Sequence, residues 1–61
     1  MWYIKIARHG VVMKHESVEF LTEAQAMRYI MTLLSTREEF RQDCTFFVGF
    51  NGRPGRQVFQ N

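Results

Sequence analysis

The chain has 61 residues, 46% of them hydrophobic and 15% aromatic, with a formal net charge of +2. That apolar content excludes a disordered chain, and the mild positive balance excludes an acidic mimic of nucleic acid while permitting nucleic-acid contact. So short a chain forms one domain, residues 1–61, that buries only about 60% of its unfolded surface; Cys44 is the single cysteine, so packing or self-association must supply what a disulfide cannot.

The first element is Trp2 to Arg8. Trp2, Ile4 and Ile6 alternate with Tyr3, Lys5 and Ala7, the pattern of a strand with one buried face. His9-Gly10 forms the turn, with Gly10 free to take a positive φ. Val11 to Phe20 reads as a second strand, but Lys14 and Glu16 interrupt the face shared by Val12, Val18 and Phe20. A bulge near Lys14, an irregular first half or an edge position would each accommodate those charges.

Leu21 to Leu34 is the clearest amphipathic helix. Thr22 and Gln25 have capping-box spacing, with the Gln25 side chain expected to reach back to the Thr22 backbone. Leu21 and Ala26 can form a hydrophobic staple, and Glu23 suits the positive end of the helix dipole. Ala26, Met27, Ile30, Leu33 and Leu34 recur at spacings of three and four and define the apolar stripe. Arg28 and Thr32 fall opposite it. Ser35 and Thr36, each three residues before a Glu, offer a second start signal. With no Gly or Pro to stop it, the favoured reading runs the helix on to Arg41 or Gln42, carrying Phe40 on Leu33's face.

Cys44 to Phe50 alternates again, with Cys44, Phe46, Val48 and Phe50 on one side and Thr45, Phe47 and Gly49 on the other. Asn51-Gly52 is a strong hairpin signal. Pro54 belongs in the loop, since it has no amide to give a ladder. Arg56 to Gln60 returns as a fourth strand. The result is an α+β fold, β-β-α-β-β, with one helix on an antiparallel sheet of order 2-1-3-4. The helix should cover Trp2, Ile4, Ile6, Val18, Phe20, Phe46, Val48 and Phe50. The other sheet face stays open and should carry Tyr3, Lys5, Phe47 and Phe59, with Met13 and His15 beside them.

That open face is the first candidate site. Aromatic side chains around a cation suit a partner protein or a second copy of the chain, and equally a surface on which bases stack. The loop Asn51 to Arg56 is the second. Arg53 and Arg56, with Lys5 and Arg8, could meet phosphates. Gly52-Arg53-Pro54-Gly55 has the GxxG pattern of a KH domain, but that loop joins two helices and this one joins two strands. The overlap of Gly-Arg-Pro with a minor-groove hook is equally poor, because Asn51 stands where such a hook has Arg.

Chemistry of other kinds finds no support. His9, His15, Glu16 and Cys44 fit no zinc spacing. Ser17, Ser35 and Cys44 lack a recognisable partner base. No stretch is long enough to span a membrane, and no leader pattern opens the chain, so a cytoplasmic setting is expected. The expectation is therefore a non-enzymatic binding module without cofactors. The leading form is a regulator, inhibitor or adaptor that docks as a homodimer on a larger protein, through Tyr3, Lys5, Phe47 and Phe59. By length it fits the accessory proteins of phages and mobile elements. The alternative is a small nucleic-acid-binding protein using Lys5, Arg8, Arg53 and Arg56.

Overall fold

The computed structural model describes residues 1–15 and 18–60, and the backbone alone of Lys14 and His15. The elements are β1 (Trp2–Arg8), β2 (Val11–His15), α1 (Glu23–Thr36), a one-turn 3₁₀ segment (Glu38–Phe40), β3 (Cys44–Phe50) and β4 (Arg56–Gln60). All sheet pairings are antiparallel, and the order is β2-β1-β3-β4. The α+β architecture and strand order are those expected from the residue pattern.

Two tight turns fix the registers. His9 and Gly10 have φ of 52° and 78°, the double positive φ of a type I′ hairpin turn. Arg8 then pairs with Val11. Asn51 and Gly52 repeat this with 45° and 80°, and the Arg53 amide closes the turn on the Phe50 carbonyl at 3.0 Å. In β1 and β3 the two alternations meet residue for residue, with Ile4 opposite Val48 and Ile6 opposite Phe46.

The helix covers that apolar side. Thr22 Oγ1 accepts the Gln25 amide proton at 3.2 Å. The return bond closes one residue earlier than expected: the Leu21 amide donates to Gln25 Oε1 at 3.1 Å. Leu21 is 72% exposed and forms no staple. Ala26, Ile30 and Leu33 are buried against Ile4, Ile6, Cys44, Phe46 and Val48. Trp2, Phe20, Met27, Tyr29, Leu34 and Val58 close the rim of this core. Val18, expected beneath the helix, is exposed, and Phe50, expected beneath it too, lies at the margin, edge-on to Trp2 with centroids 5.0 Å apart.

Four further expectations are corrected. The helix stops at Thr36, where Arg37 takes an extended conformation (φ −124°, ψ 107°). The break swings Phe40 under the sheet, 6.4 Å from the Phe46 ring, and lets Cys44 reach its place opposite Arg8. The described part of β2 is Val11–His15; Val18 and Glu19 lie in no strand, and Phe20 rejoins β1 only as a bridge to Trp2, with backbone bonds of 2.8 and 2.9 Å. Met13 is the extra residue of a bulge between the Ile6–Lys14 and Ala7–Val12 pairs. Its sulfur lies 4.0 Å from Cys44 Sγ, so it reaches the helix side and not the open face. Phe59 pairs with Phe46, across a register shift, and its ring lies 6.0 Å from that of Phe46. It too belongs to the helix side. The readings placed on the His15 side chain, Glu16 and Ser17 lie outside the described residues.

Candidate interaction surface

Alternation assigns the helix-free face to Tyr3, Lys5 and Ala7 of β1 and Thr45, Phe47 and Gly49 of β3, paired in that opposed order. Val12 joins them opposite Ala7. Gln57 and Gln60 join them opposite Phe47 and Thr45. No described helix lies on this face. Its centre is the pair Lys5 and Phe47: the ammonium sits 4.7 Å from the ring centroid, a cation–π contact worth about 0.5–1 kcal/mol at an open site. Both residues are half-buried.

Tyr3 has a second task. Its ring lies over Gly49, where an added Cβ would come within 2.3 Å of Tyr3 Cζ. Its hydroxyl donates to the Arg53 carbonyl at 2.7 Å. Gly55 lies against the same surface, with its Cβ position 3.2 Å from Phe47 Cβ. The loop 51–55 is thereby folded onto the open face, and it brings the exposed Arg53 there. The Gly49 and Gly55 contacts were not anticipated. A glycine inside a strand does signal a close approach, but not by which side chain.

The four cations considered for phosphate contact do not converge. Lys5 belongs to the open side, as does the backbone of Arg53. Arg8 shares the helix side with Cys44: its Nη2 donates to the Glu39 carbonyl, and Cys44 Sγ lies 3.7 Å from that nitrogen. Arg8 Nε is buried and meets no acceptor among the described residues. Arg56 faces the helix start and pairs with Glu23. Phe59, placed with Tyr3, Lys5 and Phe47 from the sequence, is separated from them by the thickness of the sheet.

β2 supplies a further exposed feature. Val11, Val12 and Met13 are 67%, 43% and 40% exposed, on the outermost strand of one sheet edge. Among the described residues no three His, Cys, Asp or Glu side chains come together as a metal site, and no helix is long and apolar enough to cross a membrane. Comparison with family models, curated proteins and solved structures found no match to the chain.

Proposed function

We propose that the chain is a non-catalytic protein-binding module, a small regulator or adaptor that docks on a larger protein through its helix-free sheet face. The observation that carries this reading is the half-buried Lys5–Phe47 pair at the centre of a face that no described helix covers. The strand positions of that face hold Lys5 and no carboxylate, and the loop folded onto it adds Arg53. A complementary partner presents acidic groups beside an apolar patch, the pairing that speeds encounter and fixes orientation. Aromatic contact area and a desolvated cation are the usual anchors of such interfaces.

Affinity capture from the native host with three baits tests this. Phe47→Glu reverses the chemistry at the centre of the face. Met31→Glu places the same charge on the exposed outer side of α1. The expected result is a partner held by the parent and by Met31→Glu and lost with Phe47→Glu. Equal recovery with all three baits removes the face from the interaction.

A second reading, binding of single-stranded nucleic acid, is favoured by Lys5 and Arg53 lying beside Tyr3. Two observations weigh against it. Lys5 sits over the Phe47 ring on which a base would stack, and Arg8 and Arg56 are engaged on the helix side.

A further inference from the structure

The edge strand β2 carries its one charge, Lys14, only after three successive apolar residues. Edges of natural sheets are guarded by charge, proline or cover. β4, at the opposite edge, has Arg56-Gln57 and Gln60 at its ends and turns Val58 into the core rim, which leaves Phe59, 40% exposed, as its one exposed apolar residue. β2 instead opens with Val11, Val12 and Met13, all exposed. Val11 and Met13 belong to the helix side and Val12 to the open side. Three successive residues apolar on both sides are the pattern of an interior strand, flanked by neighbours.

Its backbone points the same way. Trp2 and Phe20 exchange both backbone bonds, and the two-residue turn makes Arg8 and Val11 a bonded pair of the same ladder. Val12, opposite Ala7, is therefore in a non-bonded position and directs its N–H and C=O outward.

We infer that β2 pairs antiparallel with β2 of a second copy, joining two four-stranded sheets into one of eight strands about a two-fold axis near Val12. The occupant follows from self-complementarity. A two-fold at Val12 sets Val12 against its own copy and Val11 against Met13, so apolar side chains meet and no like charges face each other at these positions. The chain, which alone buries only about 60% of its unfolded surface, gains cover for three exposed apolar side chains. The Met13 bulge bends the strand and limits the ladder, and a two-fold at Val12 pairs only Val11 to Met13 of each β2, so the seam is short and association is weak. The helix-free face remains available on both copies, so the inference stands or falls independently of the proposed function.

Sedimentation equilibrium of the full chain from micromolar to millimolar concentration, with amide hydrogen exchange at both extremes, tests it. The mass should rise from 7.3 kDa toward twice that value, and the Val12 amide should gain protection at high concentration. Val12→Lys sets two ammonium groups opposite each other and should raise the midpoint concentration at least about tenfold. Leu21→Lys, at an exposed site outside β2, should leave it unchanged. A synthetic chain with an N-methylated Val12 keeps the side chain, loses the donor and should stay monomeric. A mass constant at 7.3 kDa, a Val12 amide equally exposed at both concentrations, or Val12→Lys associating like Leu21→Lys would each overturn the pairing.

Discussion

Tyr3 shows how one residue can be both surface and scaffold. Its ring fills the space that Gly49 leaves by having no Cβ, and its hydroxyl ties down the 51–55 loop through the Arg53 carbonyl. Tyr3→Phe should therefore cost about 0.5–1.5 kcal/mol, the net value of one hydrogen bond, measured by urea unfolding. Gly49→Ala puts a methyl group where the Tyr3 ring lies, and overpacking of this kind costs about 1–3 kcal/mol. The two positions share a contact, so their effects should not add. In a Tyr3→Ala background the alanine at 49 should be tolerated, and a Gly49→Ala penalty of the same size in both backgrounds would disprove the stacking.

Among the elements, the helix end differs most from the residue pattern. Periodicity carries Phe40 onto the face of Leu33, and no Gly or Pro interrupts it. Yet Arg37 leaves the helix, its amide bonding the Leu33 carbonyl at 2.8 Å. The last turn has no basic residue of its own. Arg41 supplies one from beyond it, donating Nε to the Leu34 carbonyl and Nη2 to the Ser35 carbonyl, both at 2.8 Å. Positive charge on the orphan carbonyls of a helix end is stabilising. Arg41→Met should cost about 1–2 kcal/mol, with the loss of helical ellipticity beginning from Ser35; unchanged stability would show that the turn ends the helix unaided. The second start signal at Ser35 and Thr36 offered this stop only as the less favoured reading, because its cause lies in Arg41, beyond the helix, and in the need of Cys44 to meet Arg8. Features with local causes were legible: the Thr22–Gln25 cap, the Asn51-Gly52 turn, and the alternation in β1 and β3 that placed Tyr3, Lys5 and Phe47 on one face. Phe59 was misplaced because its side depends on a register shift in β4 that no residue announces. Its ring packs at a tilt against that of Phe46, so Phe59→Ala should behave as a loss of core packing. A destabilisation of about 1–3 kcal/mol is expected for a residue left 40% exposed, with the melting temperature as the readout.

At the scale of the whole molecule the fold sorts charge between two sides. The +2 balance spreads over eight cations and six carboxylates, but the topology draws Arg8 toward the 3₁₀ turn and Arg56 to Glu23 at the helix start. Lys5 and the Arg53 loop are left on the sheet side. This partition sets an upper bound on nucleic-acid binding that can be measured. Each phosphate neutralised on a single strand contributes about −0.7 to the slope of log K against log salt. Two cations allow a slope no steeper than about −1.4, so the affinity for a twelve-residue oligothymidylate should fall by no more than about sevenfold between 50 and 200 mM salt. Four cations acting together would give about −2.8 and a loss near fiftyfold. Fluorescence anisotropy of the labelled oligonucleotide across that range separates the cases. A slope close to −2.8 that relaxes on Arg8→Met and Arg56→Gln would require both arginines to leave their carbonyl and carboxylate partners, and the division of charge between the two sides would then be a property of the free protein alone.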